Sequence, residues 1–402
     1  MTDSAPTETP SYPMRRAEGC PFDPPPGLKA LQESGPLARV RLWDGSTPWL
    51  ATRYEEQRSL LADPRISVDI RNPGYPSTGP ALGGDAGISF LFMDDPEHNR
   101  LRRMVTQPFT LRSVKAMAPA VQKVVDELID AMLAGPKPAD LVRDFALPMP
   151  SLVICDLLGV PYSSHEFFQE HSERLVGRDT ALEDRKSSAE QLVGFLVRLV
   201  HQKAAEPGDD VMSTLAPRVA AGELTDVEAA QTGFLLLVAG HETTANMLAL
   251  GTVALLEHPE QLKAYREADE EGVERANEEL LRYLTISHNG RRRVALEDIE
   301  IAGTVIRKGE GVIVPSDIGN RDAEVFPDPD ALNVGRDARR HMAFGFGVHQ
   351  CLGQPLARLE MRIALSTLFR RMPDLALACD VSQVPFKHDA TIYGVHELPV
   401  TW

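Results

Sequence analysis

Cysteine is scarce in this chain. Its 402 residues include only Cys20, Cys155, Cys351 and Cys379, and no two of these form a CxxC pair. This excludes a disulfide framework and a paired-cysteine zinc or redox motif, and it suits a reducing cytoplasm. Long apolar runs are also lacking, because the most apolar stretch, residues 233–240, is far shorter than the roughly 20 residues of a membrane span. We therefore expect a cytoplasmic protein that does not enter a membrane.

An excess of positive charge is absent too. Lysine and arginine number 42 against 58 aspartate and glutamate residues, a net charge of −16. This excludes a general nucleic-acid binder, since such a protein carries a basic face. The N-terminus lacks the basic-then-apolar order of a signal peptide, and its Pro, Ser and Thr content predicts a disordered tail over residues 1–13. With 43% hydrophobic residues, residues 14–402 are expected to form one domain whose core can enclose a cofactor.

Apolar residues recur at helical spacing through most of the chain. This pattern predicts helices over residues 54–62, 114–134, 147–158, 164–176, 187–205 and, in two segments, 260–284. A longer helix is predicted from Thr225, with Thr225 as N-cap and Glu228 as its capping-box partner. It should end near Glu257, since His258 precedes a proline.

The strands are short and few. They are predicted within residues 292–301, 304–306 and 311–314, and as a final pair between residues 375 and 401. Residues 67–90 hold many Gly, Pro and Ser and show no period, so they are expected to form a long loop. The predicted fold class is mainly α with a small β portion.

One cysteine stands in an unusual setting. The stretch from Phe344 to Gly353 places Cys351 in a glycine-rich bend directly before a helical pattern over residues 354–369. The free N–H groups and positive dipole end of a helix N-terminus stabilise a thiolate, and the glycines let the backbone approach a flat ligand closely. A single cysteine taken alone is more often an inert buried side chain. The complete pattern instead favours a thiolate ligand for haem iron.

This ten-residue pattern resembles the haem-binding loop of the cytochrome P450 family. A phenylalanine, two spaced glycines, a basic residue and Cys-x-Gly are each in place. The resemblance implies haem b with Cys351 as its axial thiolate, and Phe344, Gly345, His349 and Gly353 as further haem contacts. It also implies that family's single-domain fold, with the haem buried between the long central helix and the helix after the cysteine.

The long helix contains an acid and two hydroxyls beside small residues, from Ala239 to Thr244. Delivering protons to a reacting oxygen calls for such an acid–alcohol pair. The string also begins like the zinc-protease motif HExxH, but Ala245 stands where the second histidine ligand is required. The string is similar to the oxygen-activating segment of the P450 central helix, which implies catalytic roles for Glu242 and Thr243 and a haem contact at Ala239.

Glu279 and Arg282 lie three residues apart and so share one face of a predicted helix. On a protein surface such a pair contributes only a few tenths of a kcal/mol. The pair matches the ExxR signature of the P450 family, which implies a buried structural pair tied to the segment before the cysteine. Its third member would be Arg336 or His341, and we favour Arg336.

The two propionates of a haem need cationic or donor partners. His98 and Arg102 fall four residues apart on a predicted helix and match the family's HxxxR propionate contacts. Arg293 and His349 match two further contacts. The run of arginines at 291–293 is more basic than the family pattern requires. An extra arginine could face the substrate, but we expect it to face solvent.

The residues of the substrate pocket are inferred only from their positions relative to the family's motifs. Residues implied to face the substrate are Leu235, Val238, Ala239, Asn289 and Ile392. Residues 67–90 and 160–185 are implied to form a mobile cover. A mostly apolar lining is normal for a small-molecule site and for a protein core alike. The pattern leaves open whether the substrate is a terpenoid, macrolide, steroid or aromatic compound.

Five motifs in the family's order extend the resemblance over residues 35–400. It implies a monooxygenase that uses O2 and two electrons to hydroxylate an apolar secondary metabolite or xenobiotic. Two alternatives stay open: a peroxygenase driven by hydrogen peroxide, and a non-enzymatic haem-thiolate sensor or carrier. The expected electron donors are ferredoxin and ferredoxin reductase, and the expected state is a monomer. Basic residues predicted to dock an acidic ferredoxin are Arg102, Arg103, Arg112, Lys115, Arg336, Arg339, Arg340 and Arg358.

Overall fold

The computed structural model describes residues 9–17, 19–77, 89–176, 180–388 and 390–402. Its α-helices within these ranges are α1 (Pro26–Ser34), α2 (Tyr54–Ala62), α3 (Glu97–Met104), α4 (Leu111–Ala134), α5 (Pro148–Leu158), α6 (His165–Val176), α7 (Leu182–Ala205), α8 (Val211–Ala220), α9 (Asp226–Glu257), α10 (Pro259–Glu267), α11 (Glu270–Leu284), α12 (Ser316–Gly319) and α13 (Gln354–Arg371). Its β-strands are β1 (Leu37–Arg39), β2 (Trp49–Ala51), β3 (Ile66–Ser67), β4 (Ala139–Asp140), β5 (Arg291–Ala295), β6 (Ile299–Ile301), β7 (Thr304–Ile306), β8 (Gly311–Val314), β9 (Ala376–Leu377) and β10 (Pro399–Thr401). The predicted fold class, mainly α with a small β portion, is confirmed.

Two compact units make up the chain. The first comprises Met1–Ala86, Glu278–Cys351 and Phe386–Tyr393, and the second comprises Gly87–Asn277, Leu352–Pro385 and Gly394–Trp402. Among the described residues, no helix combines the length and apolarity that crossing a membrane requires.

The first unit is built on a five-stranded sheet in the order β1-β2-β8-β5-β3. Strands β2 and β8 pair in parallel and the other neighbours are antiparallel. The central strand β8 is buried on both faces, because Val312 and Val314 belong to one apolar cluster and Ile313 to another. This explains the uninterrupted apolar sequence of β8, since successive side chains of a strand point to opposite faces.

Helices dominate the second unit, where α9 packs against α5, α7, α8 and α13. Its small sheet has the order β4-β10-β9. The predicted strand pair near the C-terminus is confirmed as β9 and β10, with Val400 opposite Leu377. Strand β4, which pairs with β10 on its other side, was not predicted, since two residues carry too little periodicity to detect.

Helix α9 begins where its capping residues predict. The Thr225 hydroxyl accepts a hydrogen bond from Glu228 N at 3.0 Å, and Glu228 Oε2 accepts one from Thr225 N at 2.8 Å. The capping box and the end at Glu257 are both confirmed. With 32 residues, the helix is about 48 Å long at about 1.5 Å per residue.

Several elements differ from the sequence-based expectation. Helix α1 lies in a stretch for which no element was predicted. Pro26 occupies its first turn, where a missing N–H costs nothing. Helix α7 begins five residues earlier than the predicted residue 187. Within the predicted tail, residues 1–8 lie outside the described residues, whereas Tyr12 N donates to Arg41 O at 2.8 Å. Of the two predicted covers, residues 78–88 and 177–179 lie outside the described residues, so a cover role stays a prediction.

Candidate active site

The cysteine loop belongs to the first unit, and its backbone shape depends on glycine. Gly345 and Gly347 both have φ of +75°, in the left-handed region that other residues rarely adopt. A Cβ placed on Gly347 would lie 2.3 Å from Leu61 O, so a side chain is also excluded by space. Cys351 N donates to Phe344 O at 2.8 Å and closes the loop. Cys351, near the end of the loop, is exposed, so its thiol is accessible to a ligand.

Aromatic rings beside the loop are held by polar neighbours. The Arg58 guanidinium lies 4.3 Å above the Phe346 ring, in cation–π geometry. The rings of His341 and Phe344 are 5.8 Å apart. His341 Nε2 lies 3.2 Å from Glu278 Oε2, which places a carboxylate beside the imidazole ring that contacts Phe344.

Glu279 and Arg282 on α11 form a buried ion pair, and both side chains are 0% exposed. Arg282 Nε and Nη2 donate to the two carboxylate oxygens at 2.7 and 2.8 Å. Its other bonds go to the carbonyls of Asn320, Pro329 and Ala331 at 3.0, 2.8 and 3.2 Å. All five guanidinium donors are therefore used, which is the condition under which a buried ion pair is tolerated.

Arg336, rather than His341, is the third member of this network. Arg336 Nε lies 3.2 Å from Glu279 Oε1, and Asn333 N donates to the same oxygen at 3.0 Å. The network reaches the cysteine loop through Asn320, whose Oδ1 accepts a bond from Met342 N at 2.8 Å. It thus fixes the chain immediately before Phe344.

One expectation about the arginine run is wrong. Arg291 does not extend to solvent: it donates to Ser316 Oγ, and its Nη2 donates to Ala343 O at 2.8 Å. Arg292 lies on the other face of β5, with its guanidinium 5.9 Å from the centre of the Tyr75 ring. The alternation follows from the two-residue period of a strand, but the sequence did not indicate which face meets the cysteine loop.

In the second unit, the acid–alcohol segment lies on α9. Thr243 Oγ1 donates to Ala239 O at 2.6 Å, and Asn246 Nδ2 donates to Glu242 O at 2.8 Å. To donate to another oxygen, the Thr243 hydroxyl would exchange its bond to Ala239, a bond worth about 1 kcal/mol net. A role for Glu242 and Thr243 in proton transfer stays a prediction.

A buried carboxyl group beside this segment was missed by sequence reasoning. Glu360 on α13 is 3% exposed and hydrogen-bonds to Thr244 of α9. Burial raises the pKa of Glu360 to about 8, opposed only by the Thr244 hydroxyl. The available signal was its position in the apolar sequence Leu359-Glu360-Met361, where an acid would otherwise be unexpected.

The predicted substrate residues divide between the units. On α9, Leu235 and Val238 are half-buried and Ala239 is exposed, and their spacing places them on one face. In the first unit, Asn289 Nδ2 lies 3.5 Å from Thr391 Oγ1, next to Ile392. Their role as substrate contacts stays a prediction.

The four predicted propionate partners are also divided. His98 and Arg102 lie on α3, Arg293 is 9% exposed on β5, and His349 ends a short 3₁₀ turn. Burial lowers the pKa of His98, an effect that its contact with Asp95 opposes and the Arg102 charge reinforces. Burial therefore disfavours the charged form of His98, and a neutral imidazole can still donate a hydrogen bond.

The chemistry of these groups fits a haem. The first unit offers an exposed thiol with Arg293 and His349, and the second offers His98 and Arg102; Gly353 caps α13 two residues after the cysteine. A thiolate is a soft ligand suited to iron. Guanidinium and imidazole groups suit the carboxylates of the propionates.

Known proteins resemble the chain along nearly its whole length. A sequence model of the family Cytochrome P450 matches residues 168–373. Cytochrome P450 GfsF of Streptomyces halstedii is 54% identical over 98% of this chain and 97% of its own, and its crystal structure covers 98% of this chain with a TM-score of 0.94. The vitamin D3 dihydroxylase of Streptomyces griseolus is 48% identical over 100% of both chains. The mycinamicin VIII C21 methyl hydroxylase MycCI of Micromonospora griseorubida, solved with mycinamicin VIII, is 41% identical over 98% of this chain and 100% of its own, with a TM-score of 0.90.

Proposed function

The chain belongs to the cytochrome P450 family and is a P450 monooxygenase; from this premise we propose that it hydroxylates an apolar small molecule, with haem b held by Cys351. The observation that carries the proposal is the glycine-framed cysteine loop braced by Glu279, Arg282 and Arg336. A haem with a thiolate ligand supplies the activation of O2 for insertion of one oxygen atom into a C–H bond.

The residues of the chain have separate tasks in this proposal. Arg293, His349, His98 and Arg102 bind the propionates and so orient the cofactor. Phe344, Gly345 and Gly353 shape and screen the thiolate side, which keeps water from the sulfur. The small side chain of Ala239 leaves room beside the helix for the ligand.

Proton delivery falls to α9. Glu242 is partly exposed and accepts protons from solvent, and the Thr243 hydroxyl passes a proton to the reacting oxygen when it leaves Ala239 O. General acid catalysis of this kind contributes typically about 10²–10⁴-fold to a rate. Glu360 interacts with Thr244, the residue after Thr243, and burial keeps its carboxyl group protonated at neutral pH. It is therefore a second proton donor next to this segment.

The proposed substrate is an apolar molecule of terpenoid, macrolide, steroid or aromatic type. Relatives named for action on vitamin D3 and mycinamicin VIII, and one named pentalenic acid synthase, support this class. Leu235, Val238, Ala239, Asn289 and Ile392 are its proposed contacts. Optical titration of the ferric protein with such compounds tests the proposal, because a substrate bound beside the haem would change its absorption spectrum. Lack of any spectral shift across a broad panel would favour a sensor or carrier instead.

We further propose a ferredoxin, reduced by a ferredoxin reductase, as the electron donor of a cytoplasmic monomer. Exposed cations in the second unit, Arg103 and Arg112, support docking of an acidic protein. In the first unit, Arg339 and Arg340 are exposed but pair with Asp337 and Glu55, which reduces their attraction for an acidic partner. Reduction by a ferredoxin should slow as salt rises. A salt-independent rate would exclude this docking, and peroxide-driven turnover at an equal rate would indicate a peroxygenase.

A further inference from the structure

The side chain of Arg291 is placed against the cysteine loop. Strand β5 puts Arg291 and Arg293 on one face and Arg292 on the other. Arg291 pairs with Val314 at the last residue of β8, so its side chain reaches past the strand to Ser316 and to Ala343 O. A Cβ on Gly345 would lie 2.9 Å from Arg291 Nε. The absent side chain of Gly345 is therefore what admits the guanidinium beside the loop.

Arg291 is a cation whose partners carry no charge. Within the described part of the chain, its hydrogen-bond acceptors are a hydroxyl and a carbonyl, and no carboxylate forms an ion pair with it. Burial lowers the pKa of Arg291 to about 10, and the negative charge of Cys351 raises it. The guanidinium is thus charged at neutral pH, and it lies against the loop that carries Cys351.

We propose that Arg291 is a positioning residue that fixes the cysteine loop through Ala343 and supplies a permanent positive charge to the ionised sulfur of Cys351. This inference rests on the proposed haem ligation. A nearby cation stabilises the thiolate and also the extra electron that one-electron reduction of a thiolate-bound iron adds. A unit charge within about 10 Å at an effective dielectric constant of about 20 changes such an equilibrium by about tenfold, which is about 59 mV for one electron.

The test is a spectroelectrochemical titration of the haem-bound protein with dithionite as the electron source. Arg291→Gln should lower the reduction potential by about 59 mV, a tenfold change. Arg291→Lys keeps the charge and should stay close to the wild type. Arg292→Gln is the matched control, since it removes the same charge from the other face of the same strand, and it should shift the potential by much less.

The outcomes separate this inference from the function it builds on. A wild-type protein without the thiolate absorption band after reduction and carbon monoxide binding would contradict the proposed ligation itself. A wild type with that band, and an Arg291→Gln variant no different from Arg292→Gln, would overturn only the role of Arg291. If Arg291→Gln does not retain haem, Arg291→Lys decides. If Arg291→Lys retains haem at the wild-type potential, the role of the positive charge is supported. If it loses haem, the guanidinium's shape and not its charge is what the site requires, and the proposed charge effect is overturned.

Discussion

Replacing Arg282 with methionine should strongly destabilise the protein. The change removes five donors from a site with no solvent exposure and leaves the Glu279 carboxylate and three carbonyls without them. Removing one partner of a buried pair typically costs about 3–5 kcal/mol. Arg336 Nε and Asn333 N still donate to Glu279 at 3.2 and 3.0 Å. We therefore expect the lower end of the range, about 3 kcal/mol in the free energy of unfolding.

Urea unfolding followed by far-UV circular dichroism measures this loss. The variants must be compared at equal haem saturation, because a bound cofactor adds to apparent stability. Arg275→Met is a matched control on the same helix, since Arg275 and Glu271 form a pair at 3.3 Å whose side chains are 43% and 83% exposed. That control should cost about 0–1 kcal/mol. Equal losses in Arg282→Met and Arg275→Met would refute the claim that the ExxR pair is a buried structural brace.

Three further outcomes are expected. Gly347→Ala should lower the free energy of unfolding by about 2–3 kcal/mol, because φ is +75° and the new Cβ meets Leu61 O at 2.3 Å. The control Gly303→Ala, with φ of +73° but open space around it, should lower it by about 1 kcal/mol. Equal urea midpoints for the two variants would contradict this. Glu360 has a pKa of about 8 in the folded chain against 4.5 ordinarily, so the folded state binds the extra proton and stability should fall by about 1.4 kcal/mol per pH unit between these values. Glu360→Gln should remove that slope, and parallel stability curves for the two proteins would exclude it. Thr243→Ala should slow product formation by about 10²-fold and lower the product formed per electron consumed, while Thr243→Ser should retain both. Equal values in the two variants would remove Thr243 from proton delivery.

Local sequence signals predicted the elements that they fully determine. The Thr225 and Glu228 side chains cap the helix through backbone groups of the same turn, so the start of α9 could be placed from the sequence. The apolar run of β8 and the glycine spacing around Cys351 are likewise local. Helix α1 was missed because prolines are typical of loops, although they are equally suited to a first helical turn.

Features that depend on distant parts of the chain could not be predicted in this way. Glu360 and Thr244 are far apart in sequence, and only the packing of α13 on α9 makes that carboxyl group buried. The contact of Arg291 with Ala343 depends on which face of β5 meets the cysteine loop. The choice of Arg336 over His341 was favoured from the family pattern, but its distance to Glu279 required the fold.

The ligation of iron by Cys351 is tested most directly by the absorption spectrum of the reduced, carbon monoxide-bound protein. The wild type should show the red-shifted band of a thiolate-ligated haem, and Cys351→Ser should lose it, because a serine hydroxyl cannot replace the thiolate. Cys155→Ser, at a buried thiol whose pKa burial raises to about 12, should keep the band. A Cys351→Ser protein that retained the band would contradict the account.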